Sequence, residues 1–184
     1  MIGVRLVPLF VADGHQVAGL TRSAEKVEAL RSLGAEPLVC DVYEVERLIE
    51  AVRTFEPDMV MHQLTDLPDT ADQIRVFRER NDRMRTEGTR NLLAAAQAAG
   101  AERFLAQSIA WVPAGAGAAR EEHERLVLDA GGVVLRYGQL YGPGTFYENE
   151  VPDPPRIHID DAARRTVELL DAPPGVIVIS EEDS

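Results

Sequence analysis

A single α/β domain built on a mostly parallel sheet is the fold class this sequence predicts, on three observations. Apolar periodicity switches repeatedly between helix-like spacing and short strand-like runs. The 184 residues fit one domain of ordinary size, expected to span residues 1–184. The composition, 45% apolar and 27% charged, is that of a soluble globular chain. A domain this long buries roughly 70% of its unfolded surface without disulfide or metal staples.

The elements follow in order. Gly3 to Asp13 has helical spacing and is closed by Gly14, and His15 to Leu20 is a strand. Ser23 is the expected N-cap of a helix over Ala24 to Leu33, ended by Gly34. Glu36 to Cys40 is the next strand, Tyr43 to Phe55 a helix and Pro57 to His62 a third strand. Asp72 to Ala99 reads as one helix or two abutting ones, stopped by Gly100. Its Arg75, Arg78, Arg80, Arg83 and Arg85 interleave with Glu79, Asp82 and Glu87, which predicts a solvated face laced with ion pairs rather than an anion-binding patch. Arg103 to Ser108 is a strand, Ala118 to Ala130 a helix, Gly132 to Tyr137 a strand, Asp160 to Leu170 a helix and Val176 to Ile179 the last strand. Glu148 to Pro155 is linker-like, with three prolines.

Charge and composition narrow the function. A net charge of −12 opposes binding to a phosphate backbone, so no nucleic-acid partner is expected. The single Cys40 has no partner for an internal disulfide, and no Cys/His spacing suits a structural metal, so the expectation is a cytoplasmic protein without a metal site. The apolar run Leu6 to Ala12 is too short for a signal peptide or a membrane span, and no membrane partner is expected.

Six segments in one order carry a resemblance: Thr21-Arg22-Ser23, Cys40-Asp41-Val42, Asn91 to Ala96, Gln107-Ser108, Leu135 to Gly144, and His158 to Ala163. Together they resemble the extended short-chain dehydrogenase/reductase superfamily, in particular its NAD-dependent epimerase/dehydratase family. The resemblance implies a Rossmann-like, doubly wound sheet with a dinucleotide across the carboxyl ends of its strands. It implies NADP or NAD as cofactor and a small-molecule carbonyl or hydroxyl substrate. The cofactor-binding positions it implies are Gly3, Thr21, Arg22, Asp41, Val42, Leu64 and Tyr137, and the catalytic position is Ser108.

Three departures set this chain apart from that family. Its opening strand and Gly-x-x-Gly-x-x-Gly turn are reduced to Gly3, which resembles the third glycine, so a first strand is missing and cofactor affinity is expected to be weak or lost. The Tyr-x-x-x-Lys proton relay is absent, because the only lysine is Lys26; aligning Glu124 with the acid that follows that relay puts Arg120 at the lysine and Ala116 at the tyrosine. The substrate-binding portion is largely absent, with about ten residues between Tyr147 and His158. The sheet is expected to close by direct parallel pairing of the strand before Thr21 with the strand ending at His62, the alternative being a segment from a second copy in a homodimer.

Each candidate carries two readings. Arg22 either pairs with an adenosine 2'-phosphate, favouring NADP over NAD, or is a solvated residue at a helix start. Asp41 either accepts from the adenine amino group or caps the next helix. Ser108 either hydrogen-bonds a substrate oxygen, with Tyr137 or Tyr141 as a helper, or is a satisfied strand-end hydroxyl. His62 reads as a buried, hydrogen-bonded histidine rather than a general base. An acid of His158-Ile159-Asp160-Asp161 is the expected cap of the last helix. His123 with Glu121, Glu122 and Glu124 reads as a solvated face, and Trp111 and Tyr137 as packing residues. The expectation is a dyad-less NAD(P)-binding relative of epimerases and reductases, the alternative a non-catalytic nucleotide-sensing or interaction protein.

Overall fold

A computed structural model describes residues 2–68, 73, 76–111 and 117–181. The chain opens with α1 (Gly3–Ala12), followed by Gly14 in the left-handed region at φ +87°, where a Cβ would be strained. β1 (Ala18–Thr21) pairs in parallel with β2 (Glu36–Val39), Ala18 opposite Glu36 and Thr21 opposite Val39. Between them a 3-10 turn, Ala24–Lys26, leads into α2 (Val27–Ser32). Ser23 does not cap it by its side chain: the Ser23 N–H is instead taken by Thr21 Oγ1 at 3.2 Å, a turn made by the hydroxyl two residues upstream.

α3 (Val45–Phe55) is followed by β3 (Met59–His62). One helical run then comprises α4 (Arg78–Arg83), a π-helical turn (Met84–Gly88) and α5 (Thr89–Ala99), ended by Gly100 at φ +75°. The part of the expected helix at 72, 74 and 75 lies outside the described residues. β4 (Arg103–Ile109), α6 (Ala118–Asp129) and β5 (Val133–Tyr137) follow. β6 (Gln139–Tyr141) and β7 (Arg156–His158) form a small parallel pair that the sequence did not announce, because three-residue strands are too short to show a period of two. α7 (Ile159–Glu168) and β8 (Gly175–Ile179) complete the fold. The cap of α7 is His158, whose Nδ1 accepts the Asp160 N–H at 3.3 Å; the acid expected there, Asp160, pairs with Arg5 of α1 at 3.2 Å instead.

The main sheet is parallel, in the order β3-β4-β5-β8. Each face has its own core. Leu48 and Val52 of α3, Leu92, Ala95 and Ala96 of α5 and Val127 of α6 cover Phe104, Ala106 and Val134. On the opposite face Ile2 and Leu6 of α1 and Ala162 and Ala163 of α7 cover Leu105, Val133, Leu135, Tyr137 and Ile179. Helices on both faces of parallel strands make the sheet doubly wound.

The expected direct pairing of β1 with β3 does not occur. β1 and β2 form a sheet of their own, and among the described residues no strand lies between β1 and β3. Each strand has its ladder partner elsewhere, β1 in β2 and β3 in β4, while Leu20 of β1 and Val60 of β3 both pack on the core that α3 and α5 share.

Candidate functional site

Parallel strands put all their carboxyl ends on one edge, and four of them present the residues singled out by the sequence. Thr21 and Arg22 follow β1, Asp41 and Val42 follow β2, Leu64 follows β3, and Ser108 lies in the last turn of β4. An open groove of about 330 Å³ lies at the β1 and β2 ends, lined by Arg22, Val39, Cys40, Asp41, Glu44 and Arg47. A larger groove of about 540 Å³ lies between α3 and α5, among Glu46, Glu50 and Glu56, but none of the candidate residues lines it.

Within the first groove Asp41 Oδ1 accepts the Tyr43 N–H at 3.0 Å, which closes a turn ahead of α3 and does not cap it, since that helix starts at Val45 with Glu44 as its N-cap; Oδ2 makes no hydrogen bond among the described residues. Arg47 is tied to Glu44 at 2.6 Å. Arg22, half exposed, reaches across to Asp66 in the segment after β3, where Arg80 also binds. Val42 is buried in the core, and its carbonyl accepts from Asn91 Nδ2 at 3.0 Å, which fixes the β2 end on α5. Gly3 opens α1, and a Cβ there would meet nothing within 4 Å, so no protein contact requires glycine at that point.

Deeper along the edge the candidates are committed to protein partners. Ser108, 1% exposed, donates to Glu124 Oε1 at 2.5 Å. Arg136 grips the same carboxylate with two hydrogen bonds, Nε at 3.0 Å and a terminal nitrogen at 2.6 Å. Burial pushes the Glu124 carboxyl up, but the bonds from Arg136 and Ser108 outweigh it and hold it below its ordinary value. Tyr137 lies on the other face of the sheet, 2.7 Å from Thr166 Oγ1, and burial pushes its phenol up to about 12. It is no proton donor or acceptor near neutrality. Ala116 lies outside the described residues.

His123 and Glu124 are not on a solvated face; both are buried. The missed signal is positional: Arg120, His123, Glu124 and Val127 fall at i, i+3, i+4 and i+7, the inward stripe of α6. Arg85 likewise leaves the ion-paired face expected for it, because the π-helical turn aims it inward beside the histidines, where burial lowers its basicity. Of that series Arg83 pairs along the helix, with Glu87 at 2.6 Å, while Arg80 turns to Asp66.

Around Arg85 the backbone fixes a chain of hydrogen bonds. Leu64 N donates to His62 Nδ1 at 3.2 Å, so His62 Nε2 carries the proton and donates to Thr89 Oγ1 at 3.2 Å. His123 Nε2 donates to the Gln107 carbonyl at 2.9 Å, so its Nδ1 is unprotonated 2.7 Å from Thr89 Oγ1, whose one proton lies between that nitrogen and the Arg85 carbonyl at 2.6 Å. Burial, reinforced by His123 and Arg85, pushes His62 down to about 3, and burial with Arg85 pushes His123 to about 4. Both rings are neutral near pH 7, as expected of His62 from its position, and they tie the ends of β3 and β4 to α5 and α6.

A family model described as NAD(P)H-binding matches residues 1–130. The 3-diazoavenalumate denitrifying reductase of a Streptomyces species is 39% identical over 176 residues, an alignment covering 82% of this chain and 56% of that protein. The chain thus spans little more than half the length of this relative. Among solved structures, UDP-glucose 4-epimerase of Thermus thermophilus in complex with NAD superposes with a TM-score of 0.77 at 20% identity, covering 98% of this chain and 74% of that one. The Thermotoga maritima UDP-glucose 4-epimerase with UDP-glucose gives 0.78 at 17%, again covering 98% and 74%. These two show that the fold is shared. No helix among the described residues is long and apolar enough to cross a membrane.

Proposed function

The chain belongs to the NAD(P)H-binding family whose model it matches, and from that premise we propose that it is of short-chain dehydrogenase/reductase type, binds NADP in preference to NAD and serves as a reductase acting on a small molecule. The observation that carries this reading is the groove at the β1 and β2 ends, where a half-exposed Arg22 stands beside Asp41 and Arg47. Its residues fit the adenosine end of the cofactor. Asp41 Oδ2 is open to an adenine amino group, and the Arg22 guanidinium matches a 2'-phosphate. The first turn of α1 carries no side-chain cap and no acid, so its N–H groups suit the pyrophosphate.

Hydride transfer is what a nicotinamide cofactor supplies when bound. The chain's own contribution is to position it. Val42 and Leu64 stand after the β2 and β3 ends, their carbonyls held by Asn91 and by Gln107, whose Nε2 donates to the Leu64 carbonyl at 3.4 Å. Ser108 would reach a substrate oxygen only by turning from Glu124. That commitment favours a second reading, a nucleotide-responsive binding protein without turnover.

Calorimetry with NADP and NAD tests the cofactor assignment. Arg22→Ala is expected to weaken NADP binding by about 1–3 kcal/mol, as for other charge-assisted contacts, and to leave NAD nearly unchanged. Equal loss for both cofactors would remove Arg22 from the phosphate.

A further inference from the structure

Asp66 is shared unequally between two arginines. Its side chain is only 9% exposed, and two guanidiniums, each about half exposed, converge on it from different parts of the fold. Arg80 of α4 binds it two-pronged, Nε to Oδ2 at 3.1 Å and a terminal nitrogen to Oδ1 at 2.8 Å. Arg22 sits at 3.5 and 3.3 Å from the same oxygens, at the outer limit of hydrogen bonding. Arg80 is further steadied by the Phe77 ring, 4.6 Å away, and the Asp66 segment is pinned by its N–H to Asn81 Oδ1 at 3.3 Å.

We propose that Arg80 is a positioning residue for 2'-phosphate selectivity: by occupying Asp66 it leaves Arg22 loosely held and able to swing into the β1–β2 groove. The inference rests on the assignment of Arg22 to the phosphate. A nearly buried carboxylate needs a cationic partner, and stripping its partner away is costly. Arg80 meets that need alone, so the departure of Arg22 strands no charge and gives up only long, partly solvated contacts. The group of two arginines and one aspartate carries a net charge of +1, which draws an anion rather than repelling it. Arg22 already lines the groove in which Asp41 and Arg47 lie, so the swing needs no movement of the backbone. Without Arg80, Asp66 would have Arg22 as its only cation, and Arg22 would have to choose between a buried carboxylate and the ligand.

The test is calorimetric binding of 2',5'-ADP and 5'-ADP to the full chain, read as the ratio of their affinities. The unmodified chain is expected to favour 2',5'-ADP by roughly tenfold or more. Arg80→Ala should bring that ratio down to about two while leaving 5'-ADP binding unchanged, and Arg80→Lys should fall between because a lysine lacks the two-pronged grip. Asp66→Asn, alone or combined with Arg80→Ala, removes the tether and should restore or exceed the original ratio. A purely structural role for Arg80 predicts loss of both ligands together and no rescue by Asp66→Asn. Retention of the full ratio in Arg80→Ala, or a fall in the ratio in Asp66→Asn, overturns the inference with the Arg22 assignment intact. An unmodified chain with no preference for 2',5'-ADP overturns both.

Discussion

β1–β2 and β4–β5 are parallel strand pairs of one chain, yet they differ in what surrounds them. The strands β4 and β5 are covered by helices on both faces, and Leu105, Ala106, Val134 and Leu135 are no more than 1% exposed. Every residue of β1 is only partly buried, and Glu36 and Val39 at the two ends of β2 are exposed. Around the first pair the buried Ser108, Glu124, His62 and His123 are all paired with other protein groups. Around the second, Asp41 Oδ2 and the loosely held Arg22 keep free valences. Free hydrogen-bonding capacity is therefore found where the fold is least covered.

The largest expected effect that sets the two regions apart comes from acid. His62 and His123 have folded values of about 3 and about 4, below the 6.5 of an unfolded histidine. A depressed value means the unfolded chain binds more protons, so the stabilisation is present above pH 6.5 and is lost as pH falls from there toward pH 3–4. Between pH 7.5 and pH 5 the loss is about 2 kcal/mol per histidine, and about 4 for the pair. Urea titrations at the two pH values measure it. The same titrations on His62→Gln with His123→Gln should show a flatter slope, and an unchanged slope would mean that the rings are not buried neutral.

The legibility of the sequence follows the same division. α6, α7, β4 and β5 were readable within a residue or two, and so was the end of α5, because the helices carry an apolar stripe, the strands are short apolar runs and Gly100 marks a stop. β6 and β7 escaped because three residues carry no period. At the site, the positions of Thr21, Arg22, Asp41 and Ser108 at strand ends were legible from the resemblance, since topology places them. Their partners were not. Asp66 lies 44 residues from Arg22, and the Arg136–Glu124 clamp joins a strand to a helix, so no local spacing encodes either pair. The inward turn of Arg85 depends on a π-helical turn, which a 3.6-residue period cannot anticipate.

Truncation of equivalent leucines compares the two regions directly. Leu135 of β5 is 0% exposed in the α1–α7 core, and Leu135→Ala is expected to cost about 3 kcal/mol, within the range for buried leucines. Leu20 of β1 is only partly buried, so Leu20→Ala should cost about half as much or less, since less apolar surface returns to water. Chemical denaturation at pH 7.5 measures both, and equal costs would show that β1 is as firmly packed as β5.

The smallest effect asks whether membership of the main sheet or coverage of both faces confers rigidity. Val134 of β5 and Val176 of β8 stand directly opposite each other in parallel register, so sheet membership and residue type are matched. They differ in exposure, 0% against 40%, because α6 covers β5 while β8 is the sheet's edge. Threonine replaces valine with almost no change of shape but brings a hydroxyl, which costs about 1–3 kcal/mol where it finds no partner and little where water reaches it. Val134→Thr should therefore destabilise by about 2 kcal/mol, and Val176→Thr by less than about 0.5. If the two substitutions cost the same, sheet membership rather than coverage governs firmness, and the looseness of β1 and β2 would have to come from their separation from the main sheet instead of from their open faces.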